Sequence, residues 1–213
     1  MSRKQYNDIV PLVLDLLFDL KVIAERRELD QLWTPAAIVL LAAVSNLFSS
    51  IASVMWIVPA IPGSTTELYL ISTVTAVLLP LTVWLGSGVA FYVIATLRFI
   101  DVDLRETIWL TGVGMLPYVV SSLLGTAATL FAITQVPAPE SVQLVQARSS
   151  LIQSLTVVRF ANLLHLIALL WTGVNWIEMG SAVWDVPTTR AAKIVCGPLL
   201  LLVLIFARLK VLN

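Results

Sequence analysis

The chain has 213 residues, 59% of them hydrophobic and only 12% charged, with a mean hydropathy of +0.94. Soluble domains carry about 25% charged residues, so this composition excludes an ordinary soluble enzyme, a disordered regulator and a nucleic-acid-binding module. Thirteen basic and thirteen acidic residues cancel, a single cysteine (Cys196) excludes an intramolecular disulfide, and a single histidine (His165) excludes His-rich metal sites, so neither a cofactor nor a metal is expected.

Residues 1–34 read as a cytoplasmic amphipathic segment preceding a membrane domain over residues 35–213. Ile9, Leu12, Val13, Leu16, Leu17, Leu20 and Ile23 recur at helical spacing, with Asp8, Asp15 and Asp19 on the other side. The scattered charges exclude a signal peptide, which needs a purely apolar central stretch. Such a helix lies in the membrane interface, covers the bundle or meets a partner. Its acidic face disfavours simple attraction to anionic lipid.

Charge-free stretches then mark the membrane spans. Crossing a hydrocarbon core of about 30 Å takes about 20 apolar residues in a helix. Five spans are expected: Pro35–Val58, Leu68–Leu97, Thr107–Thr134, Leu155–Met179 and Ala191–Val211. The runs are too long and too continuously apolar for barrel strands, so the fold class is an all-α, polytopic five-helix membrane bundle.

Counted with the N-terminus inside, the inner segments hold nine lysines and arginines and the outer ones four. This favours an inside N-terminus and an outside C-terminus. Pro59, Pro62 and Gly63 make the first outer connection a tight turn. The second outer connection, Gln135–Ser154, is longer, and Ser141–Ser154 reads as a short polar helix with a serine cap. Trp33, Trp56, Tyr69, Trp109 and Trp184 fall near span ends, where interfacial aromatics belong. Trp84 and Trp171 lie inside spans and suggest helix packing. Asp101, Asp103 and Glu106, beside Arg98 and Arg105, form either a solvated turn or a cytoplasmic docking point.

Small residues let membrane helices approach closely. Ala42, Ser45, Asn46, Ser49, Ala52 and Ser53 share a face of span one. Ser121, Gly125 and Thr129 repeat every four residues in span three, and Gly86 and Ala90 do so in span two. Gly114 adds a small residue before the mid-span Pro117. Pro80 and Pro117 each remove a backbone hydrogen bond and kink their helices.

Leu85-Gly86-Ser87-Gly88 resembles the glycine-flanked serine of intramembrane proteases, and His165 is the only available base. At 1.5 Å per residue, Ser87 lies about 28 Å and His165 about 15 Å along their inward-running helices. A serine–histidine hydrogen bond needs about 3 Å, so this pair does not form a catalytic site. No catalytic residue is expected.

Span four is the most polar. Arg159, Asn162 and His165 are followed by Thr172, Asn175 and Glu178. Polar groups facing lipid are costly, so Asn162, His165 and Thr172 are expected to point into the bundle. There they either bond the serine face of span one or line a cavity for a lipid headgroup or ion, with Arg159 holding an anionic group.

The layout resembles the Yip domain family of five-span membrane proteins. Phe18-Asp19-Leu20 through Ala24-Glu25-Arg26, with Leu32-Trp33-Thr34-Pro35-Ala36, looks like its entry segment. Gly112-Val113-Gly114-Met115-Leu116-Pro117-Tyr118 is similar to its glycine–proline helix. Trp171 to Gly180, Thr189-Arg190-Ala191-Ala192-Lys193 and Gly197-Pro198 resemble its final hairpin. The aspartate–leucine–tyrosine signature of eukaryotic members is missing, so the resemblance implies a prokaryotic-type member in a plasma membrane, with a fold and a topology more than an activity. The expected role is a non-enzymatic scaffold or adaptor binding membrane lipids, other membrane proteins or further copies of itself, and no nucleic acid. The alternative is a transporter or scramblase-like subunit using the polar face of span four.

Overall fold

A computed structural model describes residues 32–61, 63 and 65–210, and the amphipathic helix expected over residues 9–23 lies outside them. Among the described residues there is no strand. The helices are α1 (Trp33–Ile57), α2 (Thr65–Leu97), α3 (Leu104–Gly114), α4 (Leu116–Gln135), α5 (Val142–Ser154), α6 (Thr156–Val183) and α7 (Thr188–Lys210), with a 3-10 turn over Val58–Ala60 after α1. Five helical runs are long and apolar enough to cross a membrane: Trp33–Ala60, Thr65–Leu97, Leu104–Gln135, Thr156–Val183 and Thr188–Arg208. Each contains or nearly contains the span expected from the charges.

The third run is two helices in line. The Met115 N–H turns back to the Gly112 carbonyl at 3.2 Å, and Pro117 opens α4 as one of its first residues. A proline at a helix start loses no intrahelical bond. The interruption therefore falls at Gly114–Met115, just ahead of the proline. Pro80 is buried inside a continuous α2, and Pro198 lies inside α7.

Leucine, isoleucine and phenylalanine side chains cover the outside, among them Leu40, Phe48, Leu70, Ile71, Leu200 and Leu204. The interior differs between the two ends. Toward the α2–α3 and α6–α7 connections it is aromatic. Phe91 meets Trp176 edge-on at 5.2 Å and Trp184 at 6.4 Å. α3 is the acceptor for three indoles. Trp84 donates to the Ile108 carbonyl (2.7 Å), Trp176 to the Thr111 carbonyl (2.9 Å) and Trp184 to the Thr107 hydroxyl (3.3 Å). The turn at Met115 leaves the Thr111 carbonyl to accept from Trp176, so the break in span three and this indole contact are one arrangement. Trp56 and Trp109 are likewise buried. Thus Trp56, Trp109 and Trp184, expected at the interface, belong to the interior: each ring finds more contact there, and the Trp56 N–H reaches the Val136 carbonyl at 2.9 Å.

Glycines decide where helices touch. A Cβ at Gly114 would collide with the Trp176 ring. Gly86 faces open space instead, and the close approach in α2 is made by Gly88, whose Cβ would lie 3.0 Å from Ile108 Cγ1. Two helical positions rotate a side chain by about 200°, enough to exchange a packed glycine for an exposed one. A Cβ at Gly125 would also have no neighbour within 4 Å, so this glycine leaves space where a packing contact was expected.

Two loops at the aromatic end close alike. After α2, Phe99 N–H bonds the Thr96 carbonyl (3.0 Å) and Ile100 N–H the Ala95 carbonyl (3.1 Å), with Phe99 at φ 58°. After α6, Val186 N–H bonds the Ser181 carbonyl (3.2 Å), with Asp185 at φ 49°. These are Schellman closures, which ordinarily place glycine at the left-handed position. The carboxylate of Asp103 then caps α3, accepting from the backbone N–H groups of Arg105 (2.7 Å) and Glu106 (3.1 Å). At the other end α5 forms as expected over the polar stretch, but Ser141 makes no side-chain cap bond. Instead, the Arg148 guanidinium donates to the carbonyls of Pro137 (2.9 Å) and Ala138, closing the α4–α5 connection.

Candidate functional site

The bundle opens in the half nearer α5. α1 packs on α2 and α4, and α4 packs on α6, while α2 and α6 are not closely packed against each other. Between them lies an open cleft of about 610 Å³, floored by α1 and α4 and walled by α2 and α6, with Phe206 of α7 at its edge. That volume is within the range of small-molecule sites.

Small polar side chains produce both the floor and its surface. Ser45 and Thr126 bond through their hydroxyls at 2.8 Å, and the Thr126 hydroxyl also bonds the Ser45 carbonyl at 3.0 Å. This stitches α1 to α4. The Ser50 hydroxyl bonds both the hydroxyl and the carbonyl of Ser72 in α2, the latter at 3.2 Å. Asn46, Ser49, Ser53, Thr75, Ser122 and Thr129 add further polar groups to the lining, and no charged side chain lines it among the described residues. The apolar part of the wall comes from residues such as Val54, Leu68, Leu79 and Val158.

A six-residue cluster forms the deep end. The Ser122 hydroxyl donates to Asn46 Oδ1 at 2.8 Å, and Tyr118 lines the cleft with them. Tyr118 meets the His165 ring edge-on at 4.7 Å, and Phe206 stacks on the imidazole at 4.6 Å. His165 Nδ1 lies 3.1 Å from the Ser121 hydroxyl, and that hydroxyl also bonds the Tyr118 carbonyl at 2.8 Å. A serine hydroxyl has one proton. With it directed to the Tyr118 carbonyl, Nδ1 is the donor toward Ser121 and the serine is not activated as a nucleophile. Ser87, the other serine tested against His165, is buried in α2.

The expected site residues of span four therefore separate. Asn162 and His165 line the cleft, but the histidine is matched by Ser121 of α4, not by the serine row of α1. That row faces α4 and α2, because α1 is the central floor helix. Asn162 Nδ2 is 3.5 Å from Gln153 Oε1 of α5. Arg159 is exposed and is not among the residues that line the cleft. Thr172 and Asn175 point into the aromatic half, where both are buried and where Thr172 Oγ1 and Asn175 Nδ2 have no hydrogen-bond partner among the described residues. Ser49 and Gly125 line the cleft, while Ser45 lies beneath its surface. Tyr118, Ser122, Thr126 and Phe206 also line the cleft and are not among the site residues expected from the sequence. Tyr118, Ser122, Gly125 and Thr129 do form a row at spacings of four, three and four, and this row is the signal that α4 supplies half the floor.

A model of the Yip1 domain matches residues 21–209. No curated protein and no solved structure matches the chain.

Proposed function

The chain belongs to the Yip1 domain family, and from that premise we propose that it is a non-enzymatic membrane scaffold or adaptor that holds a lipid by its polar head in the cleft. The supporting observation is the cleft itself: hydroxyls, an asparagine pair and a histidine, without a charged side chain, exposed in a membrane-spanning bundle. An isolated ion there would lack a counter-charge, whereas a neutral or zwitterionic head rich in hydrogen-bonding atoms would be matched by these groups. The apolar walls suit the first methylenes of its chains.

Transfer of lipid or solute across the membrane is the competing reading. It needs a polar path through both halves. The half beyond Tyr118 is filled by Trp84, Phe91, Trp109, Trp176 and Trp184, which favours holding over passage. In this reading the lipid-loaded protein recruits membrane proteins or further copies of itself from a prokaryotic plasma membrane.

The test is lipid analysis of protein purified in native-membrane discs. A defined lipid should accompany the wild type and be lost in Asn46→Leu and His165→Leu, with partner recovery falling in parallel. Identical lipid content in all three proteins would overturn the proposal.

A further inference from the structure

At the aromatic end, away from the lipid-head cleft, a second cleft of about 550 Å³ lies between the α2–α3 and α6–α7 connections. It gathers Arg98 from the end of α2 and Arg190 and Lys193 from the start of α7, with Leu97, Phe99 and Thr189. No carboxylate lines it among the described residues. Three cations converging from two connections repel one another. Arg190, in the first turn of α7, also runs against the helix dipole, since a helix start favours negative charge, and that turn holds no acidic residue. An anion in the cleft relieves both conflicts.

Phe99 indicates which anion. It occupies the left-handed position that closes α2, where a bulky side chain is disfavoured and glycine is usual. Its ring is 99% exposed, beside Leu97 at 73%. Packing therefore does not explain the aromatic residue. Both lie at the end of a membrane-spanning helix, where an aromatic ring seats at the boundary of headgroups and chains. Cations beside exposed apolar prongs match an amphiphile.

We infer that this cleft binds the phosphate of an anionic membrane lipid, with Arg98, Arg190 and Lys193 around the phosphate and Phe99 against the start of its acyl chains. The chemistry shared with free phosphate is the charged phosphoryl group, and the apolar prongs assign the lipid as its source.

The test uses full-length protein in phosphatidylcholine nanodiscs, titrated with dihexanoyl-phosphatidylglycerol, dihexanoyl-phosphatidylcholine or inorganic phosphate. Phosphatidylglycerol should bind in preference to both others. Replacing Arg98, Arg190 or Lys193 by glutamine should weaken it about fivefold each, the usual scale for one basic residue at a membrane surface. Arg105→Gln, outside the cleft, should change binding less than about twofold. Phe99→Gly should weaken binding while leaving the thermal midpoint equal or higher, because glycine accepts the left-handed backbone. That pair of outcomes separates lost contact from lost folding. Equal binding of the two lipids, an equal effect of Arg105→Gln, unchanged binding in Phe99→Gly, or inorganic phosphate competing at the same concentration would each overturn the assignment.

Discussion

Asn46 and His165 share one cleft but carry different structural loads. Asn46 accepts from Ser122, so its loss leaves a buried hydroxyl on α4 without that partner. An unsatisfied buried polar group costs about 1–3 kcal/mol. The serine beside His165 retains its bond to the Tyr118 carbonyl when the ring is removed. Interhelical hydrogen bonds in membranes average about 0.6 kcal/mol, so His165→Leu should cost less than Asn46→Leu. Thermal melts in one detergent check the order, and equal midpoints would mean that the asparagine adds nothing to the α1–α4 contact beyond the Ser45–Thr126 bonds. Glycines give a second comparison. Gly114→Ala places a methyl group in the Trp176 ring, and overpacking of this kind costs about 1–3 kcal/mol. Gly86→Ala meets open space and should leave the midpoint unchanged or slightly raised.

Helices show why some elements are legible in the sequence and others are not. Span ends follow from charges, because an unpaired charge in hydrocarbon is costly wherever the helix turns. Helix faces are harder. α6 carries polar residues on what reads as one face, yet Asn162 and His165 open into a cleft while Thr172 and Asn175 enter an aromatic interior. Two different sets of neighbours decide this, and the sequence of α6 alone contains neither. The interruption at Met115 is similar: Pro117 signals it, but its position depends on Trp176 taking the Thr111 carbonyl. The α5 element offers a direct test. Its polar sequence predicts a helix, and its attachment depends on Arg148 reaching the carbonyls of Pro137 and Ala138. Arg148→Ala should speed hydrogen exchange by about tenfold or more over residues 136–155, since losing a charge-assisted bond of about 1.5–3 kcal/mol frees the connection. Exchange in α3 should not change. Uniform acceleration would show that α5 supports the whole bundle.

Across the molecule, an aromatic, closely packed half is joined to a hydroxyl-lined, open half, and orientation decides which leaflet each one meets. The connections at the aromatic end, with the helix turns beside them, contain Arg98, Arg105, Arg190 and Lys193, whereas those at the α5 end contain Arg148 and Arg159. Basic residues in short connections are retained on the cytoplasmic side. The aromatic end, with its basic cleft, is therefore expected inside, and the open cleft in the outer leaflet. Cys196 is the only cysteine, so a Cys196→Ser background permits single-site labelling. Ser150→Cys, on the exposed side of α5, should react with a membrane-impermeant maleimide on intact cells. Asp101→Cys, in the exposed α2–α3 connection, should react only after permeabilisation. The reverse pattern would place the open cleft in the inner leaflet, and any lipid held there would then be drawn from the cytoplasmic side.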